Sequence, residues 1–357
     1  MSYRALRGPL LVILLAGCAG SDNRPITPVR DEGQNCAQQF AAFSELLRTG
    51  NAEPAYPHSV AGFPALGTDR LHARLASADL STQQRRDLLA RLLTLGRQRH
   101  EIALIALAGD TSPVPGMRRD EALQMLDDCA VESLEALHRD PERWAVLTEA
   151  LQVADDYLGW RRFVGIYPLS SLPVRVAVRQ LQSDLLDGFH TPLHELPVRG
   201  QLRRYGPDLS ASASLTVAEN EPPPADSLGL RLPSERTLQG LFAAHAPVLE
   251  IDTVGKFDRP GRPGFDRLSA RPGVDTDSAE AYRYASLTRF DGDLLLQLNY
   301  VWWFDERPAN GALDGLAGAL DGLVWRVTLD RDGAILLYDS IHPCGCYQQY
   351  FPSPRLL

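Results

Sequence analysis

Lysine is almost missing from this chain: Lys256 is the single one, and arginine supplies every other positive side chain. That skew matches a GC-rich coding bias. The arginines are scattered among acids, the formal charge is −9, and no sustained basic stripe forms, so nucleic acid is not an expected partner. Long apolar runs are also missing. The run Leu10 to Leu15 is far too short to span a bilayer as a helix. No phosphate loop, G-x-S-x-G elbow or HExxH helix occurs, so those reaction classes have no sequence support. The adjacent acids Asp155-Asp156 and Asp305-Glu306 read as solvated pairs. Cysteine is sparse, with five in the chain, yet two of them fall within three positions, Cys344-Gly345-Cys346.

What is present begins with an export signal. Arg4 and Arg7 precede the short apolar run, and small residues follow it. Leu15-Ala16-Gly17-Cys18 resembles the lipobox of bacterial lipoproteins. That resemblance implies cleavage before Cys18, a diacylglyceryl group on its thiol and acylation of the new amino terminus, several chains anchoring where one binds only marginally. A plain secretory signal with an incidental cysteine is the alternative. Ala19 follows, not aspartate, so the expected address is the periplasmic face of the outer membrane, with the membrane met through the lipid anchor. Residues 1–17 then form the signal, and residues 18–32 form the lipidated cysteine and a polar tether.

Four cysteines remain once Cys18 is lipidated: Cys36, Cys129, Cys344 and Cys346. An even number in an oxidising compartment is expected to pair, and three pairings are open in principle. Helical spacing puts Cys36, Phe40, Phe43 and Leu47 on one stripe. Ser81 with Gln84 is a capping box that starts a helix to about Leu107, with Leu88, Leu92, Leu95, Ile102 and Ile105 as its apolar stripe. The loop 109–116 ends it. A helix over 118–138 faces Ala122, Leu126, Cys129, Ser133 and Leu137 inward, and Asp140-Pro141-Glu142 starts another. Cys36 and Cys129 therefore both lie on core-facing stripes, where an interhelical bridge can form, contributing roughly 4 kcal/mol in the chain-entropy model. Residues 33–189 read as an all-helical domain. Within it, "YLGWRRFVGIYPL" at 157–169 reads as a half-buried helix with snorkelling arginines, a lipid-interface segment being the alternative. Residues 190–232, ending near "ENEPPPADS", read as a Pro-rich linker or surface excursion.

Beyond the linker the period changes. "RTLQGLFAAHAPVLEID" reads as a short helix running into a strand. Asp291-Gly292 joins two strands as a two-residue hairpin turn, and Asp330 to Gly333 joins two more. The predicted fold class is thus α+β: an all-helical N-terminal domain followed by an α+β domain, 233–357, with a four-stranded antiparallel sheet. Trp302 and Trp303 point to opposite faces of one strand. The expectation for Trp303 is packing under a flanking helix; a glycan platform beside Asn299 and Gln297 is the alternative.

The runs "LQLNYVWWFDERP", "LDGLVWRVTLDRDG" and "YDSIHPCGCYQQYFP" resemble a family of uncharacterised Gram-negative bacterial lipoproteins, and the likeness extends weakly upstream through "HAPVLEID". The family pattern ends in CGCYH, so Gln348 stands where that pattern has histidine, and members continue beyond the point where this chain ends. The resemblance supports the envelope address and carries no activity.

The closing motif leaves four readings. His342, Cys344 and Cys346 suit Zn or Cu(I) as one nitrogen and two sulfurs, with His190, His194, His245, Glu250 or Asp252 as distant fourth ligands. Pro192 argues against a helix aiming His190 and His194 together. As a redox couple, Cys344-Gly-Cys346 would form a strained, reducible bridge. A cysteine nucleophile would need His245 or His342 as base and Asp339 as orienter. The expectation is the structural one: Cys344 and Cys346, bonded to each other or to Cys36 and Cys129, staple a loop covered by Tyr347, Tyr350 and Phe351, with no cofactor. The predicted molecule is an envelope binding or structural module with an unidentified protein or glycan partner; the alternative is a metal- or thiol-dependent enzyme built on His342, Cys344 and Cys346.

Overall fold

A computed structural model describes residues 34–76, 79–108, 117–153, 167–207, 225–266, 271–309 and 317–356. The signal, Cys18, the tether, the loop 109–116, residues 157–166 and "ENEPPP" lie outside the described residues. Contacts divide the chain into two units, one of Met1–Leu80 with Leu88–Val153, the other of Ser81–Asp87 with Ala154–Leu357. Among the described residues no helix is long and apolar enough to cross a membrane.

The first unit starts with helix α1, Gln34–Thr49, whose Cys36, Phe40, Phe43 and Leu47 are buried as their spacing predicts. A hairpin of strands β1, His58–Val60, and β2, Phe63–Thr68, follows. An all-helical domain was expected here; Pro, Gly and Ser in 54–67 hide so short a hairpin. Helix α2 spans Arg70–Leu75 and α3 spans Thr82–Ala108. The predicted capping box is present: Ser81 Oγ accepts from Gln84 N–H at 3.3 Å, and Gln84 Oε1 accepts from Ser81 N–H at 2.9 Å. Leu88, Leu92 and Leu95 are buried, but Ile102 and Ile105 are exposed, contrary to the expected stripe. Arg99, His100, Ala103 and Leu104 are buried in their place. The cause is backbone contact with β2: a Cβ on Gly96 would lie 2.1 Å from the Ala65 carbonyl oxygen, so that side of α3 faces the hairpin. Arg99 is satisfied there by the Pro54 carbonyl at 2.8 Å and the Glu53 carboxylate at 3.0 Å.

Helices α4, Arg119–Arg139, and α5, Pro141–Ala150, complete the unit, with Asp140 capping α5. The α4 stripe is buried as expected. Cys36 and Cys129 form a disulfide across a separation of 93 residues, with Cα atoms 5.3 Å apart.

In the second unit, helix α6 spans Tyr167–His190. The segment read as a linker carries order: a single 3-10 turn at Leu193–Glu195, then strand β3, Gln201–Tyr205, pairing with β4, Leu249–Thr253. Helix α7, Glu235–Ala244, lies between them in sequence, capped by Ser234. The remaining strands are β5 Pro260–Asp266, β6 Arg271–Asp275, β7 Tyr282–Phe290, β8 Asp293–Arg307, β9 Gly318–Leu329, β10 Ile335–Ile341 and β11 Gln349–Pro352. They form one antiparallel sheet of seven strands in the order β11-β10-β9-β8-β5-β6, with β7 also on β8. Both predicted hairpins are present, and Asp291 and Gly292 take the positive φ values their turn requires. The sheet exceeds the expected four strands because β5, β6 and β11 are short or rich in Gly and Pro, without readable alternation.

One face of the sheet packs Leu298, Tyr300, Trp302, Val327 and Leu329 against Phe242 of α7. The Tyr300 hydroxyl donates to the Phe242 carbonyl at 2.8 Å. Trp302 is the tryptophan on this face; Trp303, on the opposite face, is half-buried and pairs with Gly261 and Gly322 rather than sitting under the helix.

Candidate thiol site at the end of the sheet

Strands β10 and β11 are joined by the segment that carries the CGC motif. Its turn is closed twice: Gly345 N–H donates to the His342 carbonyl at 2.8 Å, and His342 N–H donates to the Cys346 carbonyl at 3.0 Å. Pro343 supplies the fixed φ suited to the second turn position, and Gly345 takes φ +86. The turn lies close to β9, where a Cβ on Gly322 would come within 2.7 Å of the Pro343 ring.

This geometry draws three side chains into line. His342 Nδ1 is 2.9 Å from Cys344 Sγ, and His342 Nε2 bonds to the Asp321 carboxylate of β9. The carboxylate fixes Nε2 as the protonated nitrogen, leaving the Nδ1 lone pair toward the thiol. The Cys344 backbone N–H also points at Nδ1, at 3.3 Å, as suits an acceptor. Asp321 is itself held by the Gly322 N–H at 2.7 Å, and Leu320 before it has φ +98, a conformation that costs on the order of 1–3 kcal/mol for a branched residue.

The two thiols are exposed and free, and they differ in acidity. Desolvation raises Cys344, but hydrogen bonds from the Cys346 thiol and backbone, together with the His342 ring, whose Nδ1 becomes a donor to the sulfur once it takes the thiol proton, outweigh it and hold Cys344 below the ordinary thiol value. Cys346 is pushed above that value, first by its hydrogen bond to Cys344 and then by desolvation. Cys344 is thus the more acidic sulfur of the pair, the one better suited to act as a nucleophile.

The sequence-predicted residues sort as follows. His342, Cys344 and Cys346 meet. Cys36 and Cys129 are bonded to each other, so neither joins the CGC sulfurs. The expected orienter Asp339 is replaced by Asp321: Asp339 is buried on the opposite face, 3.8 Å from Arg326, and burial raises its pKa against the opposing pull of Arg326 and Gln348. His245 caps α7, His190 ends α6 and His194 pairs with Glu195 at 3.5 Å. Among the described residues no three or more His, Cys, Asp or Glu side chains gather as a metal ion requires. The aromatics do not cover the thiols: Phe351 packs on Trp325 at 5.7 Å, Tyr350 is exposed, and Tyr347 lies under the Arg307 guanidinium. Nor is Asn299 free for a glycan; its amide donates to Ser286 and to the Tyr284 carbonyl, and its oxygen accepts from Arg326.

Asp321 was not readable from the turn alone, because a bulge between Ile335 and Leu337 shifts the pairing of β10 on β9 by one residue. The β9–β10 register pairs Val324 with Ile341, so residue 342 falls opposite 323 and diagonally beside 321 on one face. Comparisons of the chain with family models, curated proteins and solved structures found no match.

Proposed function

We propose that this protein is an exported, lipid-anchored envelope protein whose second unit carries a thiol–disulfide exchange centre. The observation that supports it is the chain Asp321–His342–Cys344 with the Cys346 thiol alongside. Cys344, as thiolate, attacks a disulfide sulfur and forms a mixed disulfide; Cys346 then attacks Cys344, releasing the second sulfur of the substrate. His342 accepts the Cys344 proton and Asp321 holds the ring in the required tautomer. The address rests on the Leu15–Cys18 motif, through which Cys18 would meet the periplasmic face of the outer membrane.

The test is the pH profile of Cys344 alkylation in the mature chain. The expected profile has its midpoint below that of a free thiol, moving up on His342→Ala and, by less, on Asp321→Asn. A wild-type profile equal to that of a model thiol would overturn the reading. Mutating Cys346→Ser is expected to trap a mixed disulfide with a small aromatic disulfide, seen as added mass on Cys344.

A further inference from the structure

We infer that the Cys344–Cys346 pair works in the oxidising direction, as a disulfide donor to dithiols in unfolded polypeptide segments. This rests on the thiol-exchange reading above and adds its direction and substrate class.

Two independent features drive the direction. Only Gly345 separates the two cysteines, so a bridge closes a small ring with few free torsions, and strained bridges are the more reducible ones. The turn bonds from Gly345 N–H to the His342 carbonyl and from His342 N–H to the Cys346 carbonyl fix the backbone around the dithiol. Second, the reduced state is stabilised by contacts that oxidation removes. Once Cys344 Sγ is bonded to sulfur, His342 Nδ1 loses its thiol partner while Asp321 still holds the other side of the ring. Stabilising the reduced form raises the oxidising power of the pair.

The substrate class follows from access. Both sulfurs lie exposed at a strand-to-strand turn, and among the described residues no aromatic encloses them. An open tip lets a polypeptide approach and gives a small molecule no enclosing wall. In the step, a substrate thiolate attacks Cys344 Sγ, breaking the Cys344–Cys346 bond, and Cys346 leaves as a thiolate that takes a proton. The second substrate thiolate then attacks the substrate sulfur of the mixed disulfide and expels the Cys344 thiolate. Two electrons pass to the pair, and the substrate ends as a disulfide.

The experiment equilibrates the mature, lipid-free chain in graded mixtures of reduced and oxidised glutathione, alkylates it and reads each cysteine by peptide mass. Cys36–Cys129 serves as the internal control, being a bridge between two helices. The expected result is that Cys344–Cys346 is reduced in mixtures at least about 100-fold more oxidising than those that reduce Cys36–Cys129. His342→Gln and Asp321→Asn are each expected to move the Cys344–Cys346 midpoint toward more reducing mixtures. The oxidised chain, mixed in equal amount with a reduced unfolded polypeptide, should pass on its bridge within one turnover. A Cys344–Cys346 bridge as resistant as Cys36–Cys129, one that never forms, or one that forms and is not passed on overturns the inference. If the alkylation profile of Cys344 is shifted down while the bridge proves resistant, only the direction fails; an ordinary profile removes the thiol-exchange reading itself.

Discussion

Burial holds the His100 imidazole neutral. The ring is 5% exposed, sits between the rings of Phe40 and Phe43, and donates from Nε2 to the Pro64 carbonyl at 3.1 Å. Desolvation lowers its pKa from 6.5 to about 4, with Arg99 adding to the fall and the Pro64 hydrogen bond opposing it. As pH drops below 6.5 the unfolded chain takes up the proton first. The stability of the neutral ring is therefore complete above pH 6.5 and lost between 6.5 and about 4, a difference of roughly 3 kcal/mol. Chemical denaturation at pH 7 and at pH 4.5 should show this loss, and His100→Asn, which cannot titrate, should flatten the pH dependence. An unchanged slope in that variant would assign the loss to carboxylates. His342 has other surroundings: half-exposed at a turn, it lies between the Asp321 carboxylate and the Cys344 thiol.

At the scale of elements, close backbone approach decides more than apolar spacing. Glycine in an exposed helix costs up to about 1 kcal/mol relative to alanine, so Gly→Ala normally stabilises. At Gly96 the sign reverses, because the new Cβ would meet the Ala65 carbonyl oxygen at 2.1 Å. Gly96→Ala should destabilise the first unit by about 1–3 kcal/mol, read as a lower denaturation midpoint. Gly322→Ala makes the same argument for the thiol turn: its Cβ would press on Pro343 at 2.7 Å, and the turn must lift from β9, parting His342 from Asp321. Alkylation of Cys344 in that variant should revert toward an ordinary thiol profile. These contacts also mark what the sequence made legible. Helices with one clear stripe, such as α1 and α4, and hairpins with Asp-Gly turns were readable because period and turn chemistry agree. Strand β5, which opens Pro260-Gly261-Arg262-Pro263-Gly264, carries no alternation, and β11 has only four residues. The CGC motif announced itself by composition. Asp321 did not, because only the register of a folded hairpin brings it beside His342.

For the molecule as a whole, the two sulfur pairs are put to different uses. Cys36–Cys129 closes a loop of 93 residues inside the first unit, and the chain-entropy model gives such a bridge about 4.5 kcal/mol. A domain has only about 5–15 kcal/mol of net stability, so this one bond is a large share of what keeps α1 on α4. Reduction strong enough to open it should expose the amides of α1 and α4 to hydrogen exchange. The ladder of β8 and β9 has its own core around Leu298, Tyr300 and Val327, and no disulfide was needed to close it. Its amides should keep their protection in the same reductant. Milder reductant should reach only Cys344 and Cys346, which carry no comparable loop and whose release leaves both protection patterns intact. If α1 and α4 keep their protection after Cys36–Cys129 is shown by mass to be open, the helical core is stable without its bridge, and the entropic contribution assigned to that loop is too large.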